Sequence, residues 1–310
     1  MAYGATLTLP TLTGSHTNFP ILLKTDDFPS ASIDGTANAL ANGGGDLRAY
    51  VDDTKAVQIA LHVVTFVSGG TPDIEVWAKI PTAATGSTIY VEKDAVATTQ
   101  PAVGAAYGQY AVWTDYEAVS HDGGLTDAKG ATMVDDGSGV VAASPWGDAL
   151  TAPLQRYSDD TIGDFVTDFT LQVWSSGLDV GTLLARRDGS SRQYQLFVET
   201  SDVKGVSTGA TTGTKLVDTS TGWHSTTAII NSATDWDGYI DGAIGESAVN
   251  MTSITAQTVP VTVGYRLNGG AGTSASEFTD LIGEYRIRSG TLSAEWIADE
   301  FDNQNSSTAW

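Results

Sequence analysis

Paired carboxylates are the most frequent chemically competent grouping in this sequence. They stand at Asp26-Asp27, Asp52-Asp53, Asp135-Asp136, Asp159-Asp160 and Asp235-Trp236-Asp237. Such loops suit a hard cation such as Ca2+, which needs about six to eight oxygens converging on one point. The expected metal ligands are Asp159, Asp160, Asp235 and Asp237, with Ca2+ the one cofactor the sequence suggests. Solvated acidic loops that keep the protein soluble are the competing reading. Asp235-x-Asp237-Gly238 is no EF-hand, because the third ligand and the closing Glu are missing. The four histidines, His16, His62, His121 and His224, never stand at His-Glu-x-x-His or His-x-His spacing, so no zinc centre is indicated. The chain has no cysteine, which excludes disulfides, thiolate metal sites and a cysteine nucleophile. No Gly-x-Ser-x-Gly elbow is present.

Glycan hydrolysis on a β-sandwich would need two carboxylates on one strand face beside a groove. The nearest cluster is Glu277-Phe278-Thr279-Asp280-Leu281-Ile282-Gly283-Glu284. Its simplest explanation is an ion pair from Glu284 to Arg286 or Arg288, so no catalytic residue is assigned. Sugar binding without catalysis needs exposed aromatic rings beside polar side chains. Trp146 and Asp148, in the loop Ser144-Pro145-Trp146-Gly147-Asp148, are the leading candidates. Tyr157 and Trp236 follow, each with core packing as the alternative.

The elements that must position these residues are β-strands. Runs rich in Val, Ile, Thr, Tyr, Phe and Trp recur between Gly, Asn, Asp, Ser and Pro, for example 56–67, 74–80, 169–174, 194–199, 236–240 and 281–288. Gln195-Leu196-Phe197-Val198-Glu199 alternates with period two, the pattern of an antiparallel strand buried on one face. Asp188-Gly189 and Asp241-Gly242 offer hairpin turns. One helix is expected, over Thr291–Phe301, one or two turns long, with Ser293 as N-cap and His224 a structural neighbour of the second hairpin. The Ala/Thr/Gly/Pro-rich stretch Ala95–Gly108 reads as a boundary, giving domains at 1–105 and 106–310. The fold class predicted is all-β: two β-sandwich modules and one short C-terminal helix.

The net charge is −22, from 15 Lys+Arg against 37 Asp+Glu. That argues against nucleic acid and anionic membranes as partners. With 41% hydrophobic and 17% charged residues, the chain can bury a core. No stretch approaches the ~20 apolar residues of a membrane helix. MAYGATLTLP has neither a basic n-region nor an apolar h-region, so no signal peptide is expected.

Four segments of the first 105 residues resemble the β-sandwich module DUF2341. They are Asn18-Phe19-Pro20-Ile21-Leu22-Leu23-Lys24, Gly44-Gly45-Asp46-Leu47-Arg48-Ala49-Tyr50, Ile74-Glu75-Val76-Trp77-Ala78-Lys79-Ile80-Pro81 and Thr88-Ile89-Tyr90-Val91. The family's Tyr-Gly-Asn ending is replaced by Val91-Glu92-Lys93-Asp94. The remainder resembles a concanavalin A-like/laminin-G-type jelly roll. That resemblance rests on Val112–Val119 as opening strand, Asp168–Trp174, Gly222-Trp223-His224 with Trp236–Gly242, and Ile282–Ile287 with Leu292–Ala298. It implies that Trp113, Trp174, Trp223 and Trp296 fill the space between the sheets or its ends.

This pairing of modules implies a surface protein. Cytoplasmic synthesis without a signal peptide, in a cysteine-free chain, suggests a bacteriophage virion accessory protein. It would be a capsid decoration, head fibre or tail-associated component located on the virion surface. Its expected partners are other virion proteins, cell-surface glycans bound by a lectin-like outer domain, and further copies of itself as a homo-oligomer. Two alternatives stand beside this reading: a glycan-cleaving enzyme on the same fold, and a structural decoration protein with no ligand.

Overall fold

Each residue of a β-stretch carries a backbone donor and acceptor that must find partners once buried. In this chain they find them in four sheets that are antiparallel apart from one short parallel pairing. The architecture comes from a computed structural model, which describes residues 3–9, 11–122, 126–137, 139–144, 147–151, 153–177, 179–189, 191–200, 203–208, 211–217, 222–232, 235–250, 254–268 and 274–305. The chain divides into two compact units, Met1–Thr114 with Ala298–Trp310, and Asp115–Ile297.

Unit 1 contains β1 (Gly4–Thr8), β2 (His16–Lys24), β3 (Leu47–Tyr50), β4 (Gln58–Ile59), β5 (Leu61–Val67), β6 (Asp73–Ala83) and β7 (Thr88–Lys93). One sheet has the order β1-β7-β3-β4 and the other β2-β6-β5. The chain passes between them at Ala60. The stretch 95–108, read from composition as a boundary, is fastened to unit 1. Arg48 donates to Thr99 O at 2.9 Å, Gln100 donates to Leu47 O at 2.9 Å, and Leu61 N–H reaches Tyr107 O at 3.3 Å. Two single helical turns that the composition did not predict are α1 (Ser30–Ile33) and α2 (Gln109–Val112). Trp113, expected in the second module, packs in unit 1. Its ring centroid is 5.3 Å from that of Trp77, and its indole N–H donates to His62 Nδ1 at 3.1 Å.

Unit 2 runs from β8 (Tyr116–Ser120) through β9 (Met133–Asp135), β10 (Val140–Ser144), β11 (Gly147–Thr151), β12 (Gln155–Tyr157), β13 (Phe169–Ser176), β14 (Gly181–Asp188), β15 (Ser191–Thr200) and β16 (Val203–Thr208). It continues with β17 (Thr211–Val217), β18 (Trp223–Ser232), β19 (Asp235–Ile240), β20 (Ala243–Asn250), β21 (Thr262–Val263), β22 (Arg266–Leu267), β23 (Ser274–Ala275) and β24 (Leu281–Ser289). An eight-stranded sheet is built around β24-β13-β18-β19 and a nine-stranded sheet around β16-β15-β14-β21. One apolar cluster joins them: Leu171, Val173, Ile230 and Ile287 from the first sheet meet Leu184, Leu196, Val198 and Val263 from the second. This is the expected β-sandwich. Val112–Val119 is not one strand, because α2 and a turn occupy its first half and β8 starts at Tyr116.

A polar tie crosses the same interior. Tyr157 on β12 and Tyr285 on β24 belong to opposite sheets, and their hydroxyls stand 2.8 Å apart. Tyr157 donates to Asp127 Oδ2 at 2.7 Å, and Asp127 also accepts backbone N–H from Val119, Lys129 and Ala131. Burial, the largest influence, pushes the Asp127 carboxyl above its ordinary value despite these four donors.

The C-terminal helix α3 (Ala294–Asn305) is longer than the one or two turns expected. Ser293 caps it as predicted, accepting the Trp296 N–H at 3.2 Å. Its extension has a physical cause in unit 1. Strand β2 is a sheet edge, and an edge carries unpaired backbone groups. The Asn303 carboxamide supplies both missing partners, accepting Leu22 N–H at 2.8 Å and donating to Leu22 O at 3.1 Å. One turn earlier, Asp299 accepts Thr13 N–H, Thr13 Oγ1–H and Gly14 N–H, and lies 2.6 Å from His16 Nε2.

Two predictions follow from this helix. Asn303→Ala strands a buried donor and acceptor of Leu22, so it is expected to cost about 1–3 kcal/mol, read as a lowered urea midpoint. Burial raises the Asp299 carboxyl, but hydrogen bonds from Thr13, His16 and Gly14 outweigh it and hold the group below its ordinary value. A depressed folded-state pKa stabilises above the unfolded value, and that contribution is lost as pH falls through the folded one. Wild-type stability is therefore expected to drop below about pH 4, and Asp299→Asn to be less stable at neutral pH with a shallower acid decline. Equal acid slopes in urea titrations would refute this.

Candidate functional site

The outer face of the nine-stranded sheet carries a groove set by strand register. On β15, Tyr194, Leu196 and Val198 enter the apolar cluster, so the alternate residues Gln195, Phe197 and Glu199 belong to the opposite face. Gln195 pairs with Ser207 of β16, and Phe197 pairs with Gly205. Arg187 of β14 pairs with Arg192 of β15, while Asp188 next to it pairs with Leu267, which brings Arg266 alongside. Arg187, Arg192, Gln195, Phe197, Glu199, Ser207, Arg266 and Ser276 line a cavity of about 160 Å³.

Each position has a local reason. The Phe197 ring lies over Gly205: a Cβ at residue 205 would stand 2.9 Å from Phe197 Cζ. A bare backbone there gives the ring its seat. Gln195 is held from both sides, donating to Thr182 Oγ1 at 2.7 Å and accepting from Arg187 Nη1 at 2.6 Å. Arg187 Nε also donates to Gly189 O, in the turn where Gly189 adopts φ +55°. Arg266 Nε donates to Ser276 Oγ at 2.9 Å. Arg187 Nη2 and both Nη atoms of Arg266 have no hydrogen-bond partner among the described residues. The buried Ser207 hydroxyl is likewise without a partner among them.

The electrostatics of the groove oppose the composition of the chain. Three of 15 basic residues gather here in a protein of net charge −22. Burial first, then the like charges of Arg192 and Arg266, push the Arg187 guanidinium down to about 10. Burial, followed by Arg266, lowers Arg192. Glu199 lies four residues beyond Gln195 on β15, about 13 Å along an extended strand.

The residues singled out from sequence fall elsewhere. Trp146 lies outside the described residues. Asp148 is exposed on β11, opposite Ala143. Tyr157 and Trp236, expected as sugar-stacking rings, are corrections: both are fully buried in the apolar cluster and present no face to solvent. Among the described tryptophans, Trp236 belongs to the apolar cluster between the sheets. Gly238 leaves it room, since a Cβ there would meet Trp236 Cζ3 at 2.5 Å. Trp296 instead lies beneath the Arg288 guanidinium, 5.1 Å from its ring centroid.

The four aspartates expected around Ca2+ do not converge. Asp159 accepts Thr161 N–H and Oγ1–H in a local turn, and the Asp160 backbone carbonyl accepts from Arg186. Asp235 accepts from Ser232 and Asp237 from Asn231 on the other sheet. Among the described residues no group of three or more His, Asp or Glu side chains could hold a metal ion. Glu284 pairs with Arg286 at 2.7 Å, as expected, and is also 2.7 Å from His121 Nδ1. His224 contacts Asp241 Oδ2 at 2.6 Å, beside a hairpin turn in which Asp241 and Gly242 both have positive φ.

Sequence reasoning missed the groove. The available signal was the density of arginine at Arg186, Arg187 and Arg192 around one predicted turn. Arg266 is far away in sequence and gave none.

No protein-family model matches the sequence, and no curated protein matches it. Among solved structures, the chain is similar to botulinum neurotoxin type C, in a structure concerned with its interaction with two ganglioside molecules. There the TM-score is 0.48 and the identity 13%, over 64% of this chain and 54% of that one. It is also similar to domain 4 of AbnA, a GH43 extracellular arabinanase from Geobacillus stearothermophilus, in complex with arabinotriose. That match has a TM-score of 0.46 and 15% identity, over 60% of this chain and 97% of that one. The botulinum neurotoxin serotype D binding domain gives 0.47 and 10%, over 61% and 52%. The chain thus spans about half the length of the neurotoxin structures. Likeness of this degree carries no functional argument.

Gly205→Ala tests the seat of the ring. Loss of unfolded-state freedom contributes about 0.4–1 kcal/mol of stability, offset by crowding of a partly exposed ring that can swing away. Stability is expected to stay within about 1 kcal/mol of wild type, while the Phe197 ring proton shifts move in NMR spectra. Unmoved ring resonances would contradict the packing described.

Proposed function

We propose that unit 2 is a glycan-binding module with its site in the groove of the nine-stranded sheet. One juxtaposition carries this reading: the partly exposed Phe197 ring stands beside Gln195, Ser207, Arg187 and Arg266. A pyranose has an apolar face that packs on such a ring and hydroxyls that need fixed donors and acceptors. The unpartnered Ser207 hydroxyl suits a ligand partner, because buried polar groups are costly when left unsatisfied. A rigid sheet holds all these groups without ordering a loop on binding. In this reading the chain binds and does not cleave.

The wider setting is a bacteriophage virion, with the chain as a capsid decoration, head fibre or tail-associated component. What supports it is the resemblance of the two modules to those of surface proteins, together with a cysteine-free composition suited to both reducing and oxidising surroundings. Mass spectrometry of purified virions checks it, and consistent absence of the chain would remove the setting.

The binding reading is checked on a glycan array with the full chain, followed by calorimetric titration of the bound saccharides. Phe197→Ala is expected to weaken binding several-fold to about tenfold, the worth of about 1 kcal/mol of apolar contact. An array without binders, or affinity untouched by Phe197→Ala, would overturn the site.

A further inference from the structure

We propose that strand β10 is a self-association edge, at which two copies of this chain pair antiparallel about Ala142 and join their eight-stranded sheets into one. β10 ends that sheet and is bonded to β11 alone. Its sequence, Val-Val-Ala-Ala-Ser, carries no charge and no proline. Val140 is 65% exposed and Val141 51%, so both faces of the strand show apolar side chains to solvent. The pairs with β11, from Val140 opposite Thr151 to Ser144 opposite Gly147, run without a register shift. A flat, uncharged edge of this kind is a template for a further strand, and native sheets blunt such edges with charges, proline or bulges. The other edge strands of unit 2 with three or more residues follow that rule. β8 carries Glu117 and β9 an exposed Asp135. β20 carries Glu246, and the ladders of both β17 and β20 are broken by register shifts.

Backbone direction, side-chain size and charge identify the occupant as a second copy. Val140 N–H donates to Thr151 Oγ1 at 3.3 Å and Val140 O accepts from it at 3.1 Å, so the backbone of Val140 faces β11. Backbone direction alternates along an antiparallel ladder. Ala142 and Ser144 therefore also face β11, while the N–H and C=O groups of Val141 and Ala143 point out of the sheet edge. About a two-fold axis at Ala142, Val141 of each copy stands opposite Ala143 of the other. Each of these two pairs is placed to exchange both of its N–H···O bonds. The same axis sets Val140 opposite Ser144 and Ala142 opposite its own copy, so the larger residue meets a smaller one on both faces. This reciprocal fit is a property of β10 paired with itself. Charge agrees with it: two chains of net charge −22 repel, and they approach closely only where carboxylates are absent, as along β10. The contact is isologous and closes at two copies. Five residues a side are few against the roughly 20–30 of a standard interface, which makes the dimer weak.

The test follows the full chain by sedimentation velocity and light scattering from about 1 μM to about 1 mM, the range suited to small interfaces. A monomer is expected at the low end and a dimer, with nothing larger, at the high end. Val141→Lys puts a charge on the edge. Ala143→Pro removes an outward N–H where an edge strand tolerates proline. Each is expected to weaken dimerisation at least about tenfold. Val180→Lys, at a valine 61% exposed and outside β10, is expected to leave it unaltered. In amide hydrogen exchange of the wild type, Val141 and Ala143 are expected to gain protection as concentration rises, while Val140 and Ala142 change little. A wild-type chain still monomeric at the top of the range, assembly that continues past the dimer, or dimerisation indifferent to both β10 variants would overturn the proposal. Should a variant fail to fold, wild-type exchange at Val141 and Ala143 that ignores concentration overturns it equally.

Discussion

The alternation of strand β15 constrains both halves of unit 2 at once. Tyr194, Leu196 and Val198 are committed to the apolar cluster, and a strand that buries one face must offer the other. Gln195, Phe197 and Glu199 are therefore placed outside by the same burial that holds the sandwich together. A slip of one residue would carry the glutamine and glutamate inside and the leucine and valine out. Core energetics thus fix the positions of groove residues to a degree their own weak hydrogen bonds could not. The neighbours follow from the same register, with Ser207 and Gly205 opposite Gln195 and Phe197.

Polar ties complete what apolar burial leaves unspecified. Asp127 gathers three backbone amides and the Tyr157 hydroxyl at a place where Tyr285 arrives from the opposite sheet. A buried carboxylate left without these donors would be costly, so the network selects one arrangement of loop and strands. In unit 1, Asn303 and Asp299 do the comparable work on β2 and on the turn before it. Both devices use side chains to satisfy backbone groups that no strand reaches.

Net charge describes this protein poorly as a guide to its ligand. A value of −22 argues soundly against nucleic acid, which needs broad basic surfaces. It says nothing about a cavity a few residues across. The carboxylates invoked for a cation are dispersed into local turns at Asp159 and into neighbouring-strand contacts at Asp235 and Asp237. Three of the 15 cations, meanwhile, gather at one groove. Local arrangement overrides the average because electrostatic interactions at a partly buried site are far less screened than those across the surface.

Much of the fold was legible in the residues. Runs of strand-forming residues marked β13, β15, β19 and β24, Ser293 announced the cap of α3, and Asp241-Gly242 its hairpin, since each signal is local. Strands β9 to β12, β16, β17 and β20 were less legible, their sequences being rich in Thr, Ser, Ala and Gly with little alternation. The candidate site was nearly illegible. Tyr157 and Trp236 looked like ligand-binding aromatics because residue type does not reveal burial, and both are core. What the sequence by itself determined is the class of fold: strand-forming residues, turn chemistry and a carboxylate-rich, cysteine-free composition. What only the tertiary structure decided is which side chains meet. Arg266 reaches Arg187 through strand pairing across nearly 80 positions of chain, and Phe197 finds its seat because Gly205 is the residue opposite. Those juxtapositions depend on register between strands, a property of the folded chain that no stretch of sequence carries alone.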